Sequence, residues 1–488
     1  MSTGLFLAVF AIYILGMIAL SVWVSRKQKS GEDFLLGNRG IPFLLMLGTT
    51  VATLVGTGSS MGAVGKGYSD GLVGMMYGIG GGLGTLLLAY WFGDARRHQF
   101  MTFSEEMSYY YRANRPIQNV VAVLILLASI GWLGAHILGG GMYLAWIAGV
   151  DLMQAKLLVA AGFGIYVIIG GYIAVVWTDT IQAIVLFIGF IWLAVISLDK
   201  IGGFSGLGDA IVQNEFTFLQ GGRLLPSISL AFVICVGVLA TPAFRQRIYS
   251  SNNVDTAKRS FYYSGILYLL FSLIPALVGI AAFELNPTLE NSNYAFPFMA
   301  TEVLPLSVGI LVLIAGLSAT MSSASSDAIA GVSILLRDIY ILVLGKMPAR
   351  EQAITLSRWG VFGIVLLALL FSLYATDIID YIKYMISIIM SGMVACVMMG
   401  KFWSRATWQG GIAALIGGAV CALTIMNISA WDAYWGNPSI PSVFTALMVG
   451  AIVSEFTQGV RISSEEALKI LSEERQEMEM KTQPPDSI

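Results

Sequence analysis

Ser322, Ser323, Ser325 and Ser326 crowd into one apolar stretch of the chain, AGLSATMSSASSDAIAGVS. On a helix Ala319, Ser322, Ser323 and Ser326 fall at i, i+3, i+4 and i+7 and share a face, which Ser325 extends. Neutral hydroxyls beside carbonyls are hard oxygen donors, and a set of them suits weak, reversible binding of a monovalent cation. The competing reading has each serine bonding back to the carbonyls of its own helix. Asp179, in GGYIAVVWTDTIQ, is an acid in an apolar segment, where an ionised carboxylate costs about 2.5–3.5 kcal/mol on insertion scales. It reads as a functional group, as a helix N-cap at the membrane interface, or as both. His136 is a packing residue or a proton relay, and Trp132 either lines a solute cavity or packs. No catalytic set accompanies them: the chain has no HExxH, paired-cysteine metal spacing, Walker loop or nucleophile elbow.

These groups have to be placed by helices in a bilayer. Hydrophobic residues make up 57% of the chain and charged residues 11%, against about 25% charged in soluble domains. Apolar runs of about 20 residues, each able to cross a hydrocarbon core of roughly 30 Å, recur almost to the end. We count about thirteen, near 3–25, 40–66, 71–93, 118–148, 155–176, 178–198, 224–243, 261–283, 303–330, 356–375, 379–400, 408–427 and 441–457. The first is too long for a signal-peptide core and reads as a retained helix. Cys235, Cys396 and Cys421 all fall in apolar runs and read as small core residues.

Basic residues orient the spans. With the N-terminus outside and the C-terminus in the cytoplasm, the inner segments 26–39, 96–115, 245–259, 337–358, 401–405 and 461–481 hold nearly all the Lys and Arg. Lys66, Lys156, Lys200, Arg223 and Lys383 are the exceptions. The expected location is a cell inner membrane. The acid-rich segment 458–488 reads as a cytoplasmic tail, a short surface helix followed by disorder.

Two spans look broken. Residues 48–67, GTTVATLVGTGSSMGAVGKG, are too rich in glycine and hydroxyls for a good continuous helix. They read as a close-packing face or as a helix unwound near 55–58, exposing carbonyls to an ion and amides to a solute. Pro242 removes a backbone hydrogen bond near the end of span 224–243. Broken spans in corresponding places point to a transporter built from inverted repeats, here about 40–198 and 224–400, within one transmembrane domain over 1–457.

GGYIAVVWTDTIQ, PAFRQR and ATMSSASSDAIAGVSILLRDIY together resemble the sodium:solute symporter family over roughly residues 5–455. The resemblance implies an all-α polytopic fold with the leucine-transporter-type 5+5 inverted repeat and broken helices 1 and 6. It implies a sodium ion, the coupling ion, at the carbonyls of Ala52, Val55 and Ala319 and the hydroxyls of Ser322 and Ser323. By likeness to the sialic acid branch, a second sodium would lie among Ser322, Ser325, Ser326 and Asp179, giving one or two ions per cycle. The implied solute pocket is Gly56, Thr57, Ser59, Tyr77, Trp132, His136 and Thr241. Its solute is unassigned: the carboxylate-binding Arg of the sialic acid branch is Trp132 here, and two cage tryptophans of the choline branch are Leu54 and Thr241. The expected activity is sodium-coupled import of a small organic solute, not catalysis. The bilayer is the other expected partner; no nucleic acid or obligate protein partner is implied. The alternatives are a proton-coupled carrier of the same fold, with Asp179 or His136 titrating, and a transporter-like solute sensor.

Overall fold

A computed structural model of the chain describes residues 3–26, 31–219, 223–349, 352–459 and 462–480. Among the described residues, ten helices are long and apolar enough to cross a membrane, or eleven if one bent pair counts as a span. They begin with Gly4–Ser25 and end with Ser439–Phe456. Their outer faces carry exposed Leu15, Trp23, Trp359, Phe362 and Phe456, as contact with lipid chains requires. Of the basic residues used to orient the chain, Lys27, Lys29, Arg350, Arg461 and Lys481 lie outside the described residues, as does the end of the tail beyond residue 480.

The helix Leu306–Ile334 is the axis of the structure. From Gly316 to Ile334 every residue is buried, and it packs on the helices Phe43–Leu54, Arg115–Ala148 and Leu152–Lys200. Its serines are thus tolerated in an apolar span because they face protein rather than lipid.

Both anticipated breaks are present. The helix Phe43–Leu54 stops at Val55 (φ −87°, ψ 65°), and the chain resumes as a π-helical turn Gly58–Gly62 and the helix Ala63–Asp70. The helices Leu224–Ala240 and Pro242–Ser250 meet at Thr241 with a 45° bend. Elsewhere the boundaries differ from the sequence reading. The expected spans 155–176 and 178–198 belong to one helical run, Leu152–Lys200, interrupted at Gly171. There φ is 62° and ψ −173°, a conformation open essentially to glycine alone.

Lys156 was assigned to no inner loop on charge grounds, and its setting explains why it is tolerated. Its Nζ reaches the carbonyls of Ser372 (2.7 Å), Leu373 (3.1 Å) and Ala375 (3.0 Å), capping the end of the helix Ala353–Ser372 with a positive charge. The tail helix Ser464–Met480 is tied to the body of the protein. Arg115 Nε pairs with Glu474 Oε1 at 2.9 Å and Arg475 pairs with Glu105.

Candidate functional site

The site grows out of the first break. The last rung of the helix Phe43–Leu54 is the bond from Val55 N–H to Val51 O at 3.0 Å, so the carbonyls beyond it need other partners. Ala52 O accepts from Ser322 Oγ at 3.0 Å and Ser323 Oγ at 3.5 Å. Thr53 O accepts from Ser323 Oγ at 3.1 Å, and Leu54 O from Ser59 Oγ at 3.0 Å. Ser322 Oγ also reaches Ala319 O at 3.2 Å. Ala319, Ser322 and Ser323 share a face as the spacing anticipated, and they meet Ala52, which the resemblance implied, together with Thr53. Val55 is at the break itself, but neither serine hydroxyl bonds to it. The back-bonding reading also holds in part, since Ser322 and Ser325 reach carbonyls of their own helix.

A second cluster, on the side of Thr49 and Thr53, is organised differently. Arg247 Nη2 lies 2.8 Å from Thr49 Oγ1, 2.5 Å from Thr53 Oγ1, 3.1 Å from Asp179 Oδ2 and 2.6 Å from Ser326 Oγ. Four oxygens thus surround a nitrogen with two hydrogens, the shell of a cation more than a set of directional bonds. Asp179 Oδ2 and Ser326 Oγ stand together as expected, 3.2 Å apart, Thr53 Oγ1 lies 3.1 Å from Ser326 Oγ, and a guanidinium of the chain itself sits against all three. Ser325 turns away, donating to Ser322 O at 3.0 Å. Asp179 does not cap a helix: it is fully buried within the run Leu152–Lys200, eight residues past the interruption at Gly171. Arg247 and Arg245, counted from the sequence among inner-segment charges, are both fully buried. Arg245 Nη1 pairs with Glu106 Oε1 at 3.0 Å and its guanidinium lies 3.7 Å over the ring of Phe92.

Beside the first cluster is a small cavity of about 40 Å³. Gly56, Tyr77, Trp132, His136 and Thr241 line it, together with Tyr268, Phe244 and Asp327. Thr57 and Ser59, expected in the pocket, do not line it. Thr57 Oγ1 holds His136 Nδ1 at 3.0 Å, and Ser59 is spent on the freed backbone of the break. His136 Nε2 lies 3.2 Å from Asp327 Oδ2, with both side chains buried. Asp327 was not singled out from the sequence. The signal was there, an acid inside an apolar span, the same that marked Asp179.

The break is held in place by close approach. A Cβ on Gly139 would fall 1.8 Å from Thr57 Cγ2. Gly139→Ala is therefore expected to displace Thr57 from His136 and to cost about 1–3 kcal/mol of stability, the usual range for overpacking. Thermal unfolding of the purified variant checks this, with Gly363→Ala, which meets nothing within 4 Å, unchanged or slightly stabilised.

The sequence profile of the sodium:solute symporter family matches residues 34–418. A sodium/pantothenate symporter of Haemophilus influenzae is 24% identical over 478 residues, covering 93% of this chain and 97% of that protein. A sodium/proline symporter of Salmonella typhimurium is 26% identical over 454 residues, covering 88% and 89%. Among solved structures, a Na+-coupled sialic acid symporter in a substrate-bound, outward-open state superposes with a TM-score of 0.78 at 18% identity, covering 94% of this chain and 99% of that one. At that identity the likeness speaks for the all-helical fold alone, and the family match is what makes the chain a multi-pass membrane transporter.

Proposed function

Because this chain belongs to the sodium:solute symporter family, we propose that it imports a small organic solute by alternating access, driven by sodium. The observation that carries this reading is the meeting of Ser322 and Ser323 with the carbonyls of Ala52 and Thr53, freed where the first core helix stops. Sodium bound there, at Ala52, Ala319, Ser322 and Ser323 with Val55 at the break, would tie the broken helix to the helix Leu306–Ile334. That tie shapes the neighbouring cavity at Gly56, Tyr77, Trp132, His136 and Thr241, so sodium and solute bind with linked free energies. One sodium per solute is the stoichiometry we favour. Asp179 Oδ2 and Ser326 Oγ, which would otherwise contribute to a second site with Ser322 and Ser325, already lie against Arg247 Nη2.

In the same reading the two halves, about 40–198 and 224–400, form the 5+5 inverted repeat of a single transmembrane domain. The chain lies in a cell inner membrane with its N-terminus outside and the tail in the cytoplasm. The relatives named above are sodium symporters, which supports sodium over other ions. Proton coupling is the second reading, favoured by the buried hydrogen bond between His136 and Asp327.

Purified protein screened by thermal shift against small solutes, in matched sodium and potassium buffers, tests the linkage. A ligand selective for the native state raises apparent stability; stabilisation that requires sodium is the expected result. The same solute should then accumulate in proteoliposomes under an inward sodium gradient. Accumulation that ignores sodium and follows a pH gradient would transfer the assignment to proton coupling.

A further inference from the structure

The central cavity presents two polar atoms that the protein itself leaves without partners. Asp327 Oδ1 and Trp132 Nε1 are both buried and make no hydrogen bond, and both residues line the cavity. The other carboxylate oxygen, Oδ2, is taken by His136, whose ring is held on its far side by Thr57. A buried carboxylate oxygen left unpaired is costly, and the cost falls when a donor, above all a cationic one, arrives. No Lys or Arg lines the cavity to supply that charge. Arg247, the buried cation on the same side of the molecule, is already surrounded by Thr49, Thr53, Asp179 and Ser326. The remaining wall is aromatic: Tyr77, Trp132, Phe244 and Tyr268. Ring faces attract cations and accept apolar carbon, and they offer little to an anion.

Building on the transport reading above, we propose that the solute binds through a protonated amine, with Asp327 as its counter-charge and the Trp132 indole N–H donating to an oxygen of the same molecule. The substrate class is then a small amino-bearing solute, zwitterionic or cationic. A purely anionic solute would bring a second negative charge to Asp327, and no Lys or Arg lines the cavity to receive it. A neutral polyol would leave the carboxylate without its ion pair.

The test is a thermal-shift and equilibrium-binding series in sodium buffer on the full-length protein. L-Proline, L-serine and ethanolamine are compared with N-acetyl-proline, N-acetyl-serine, pantothenate and glucose. At least one of the three amines is expected to stabilise the protein, and none of the other four. Asp327→Asn should weaken that amine about 10- to 100-fold, the loss of one charge-assisted hydrogen bond, and Asp327→Glu should recover part of it. Stabilisation by an acetylated form, by pantothenate or by glucose overturns the assignment, as does stabilisation by none of the amines; neither result depends on the variants folding. The transport reading fails separately, when a bound solute of any class is held equally well in sodium and in potassium.

Discussion

Replacing Arg247 with alanine is expected to destabilise the protein by about 3–5 kcal/mol, the range for removing one partner of a buried ion pair. The reason is geometric. Asp179 and Arg247 are both fully buried and lie 3.1 Å apart, and Thr49, Thr53 and Ser326 direct their oxygens at the same guanidinium nitrogen. Without it, a carboxylate and three hydroxyls face one another with no positive charge between them. Most of the loss should be recovered in the double variant Asp179→Asn/Arg247→Ala, because the unpaired charge, rather than the missing contact, is the dominant cost. Thermal unfolding of the single and double variants in detergent measures both numbers. A single variant as stable as the parent would mean that water or a cation enters to replace the guanidinium, and the expected cost of an unpaired buried charge would be overturned.

Ser323→Ala should act on ion affinity instead. The Ser323 hydroxyl touches the carbonyls of both Ala52 and Thr53, the only described side chain to bridge these two freed groups. Removing one oxygen donor to a cation is worth about 1.5–3 kcal/mol, as for a hydrogen bond to a charged group. The sodium concentration for half-maximal uptake should therefore rise about 10- to 100-fold. Ser325→Ala is the matched control. Its hydroxyl donates to the Ser322 carbonyl within its own helix, so its sodium dependence should stay within about twofold of the parent. Initial uptake rates at varied sodium, in proteoliposomes of each variant, separate the two. An equal rise in both variants would restore a second ion among Ser322, Ser325, Ser326 and Asp179.

The features legible in the sequence were those set by local chemistry. Glycine-rich backbone announced the break after Leu54, Pro242 announced the bend at Thr241, and the spacing of Ala319, Ser322 and Ser323 placed their oxygens on one helix face. What the sequence did not disclose depends on long-range packing. Nothing local distinguishes Arg247, buried against Asp179, from a basic residue of an inner loop, because the positive-inside pattern assigns both to the same place. The Gly171 interruption was hidden because the residues on either side continue to pair as helix, so the apolar run suggested a boundary several residues too late. Ser59 and Thr57 were assigned to the pocket by the family resemblance, whereas the break needed their hydroxyls for its own backbone and for His136. Asp327 was visible as an intramembrane acid, but its free oxygen was a property of the assembled cavity.

A positive charge anchored to the polypeptide differs from a dissolved ion in its response to voltage. The Arg247 guanidinium and the Asp179 carboxylate are 3.1 Å apart and can travel only together, as a dipole of no net charge. Membrane potential does work on net charge displaced, about 2.3 kcal/mol per elementary charge per 100 mV, so this pair contributes almost nothing however its helices tilt. Transient currents evoked by voltage steps, recorded with sodium present and solute absent, would then report ions entering and leaving through the Ser322–Ser323 cluster, with little background from the Arg247–Asp179 pair.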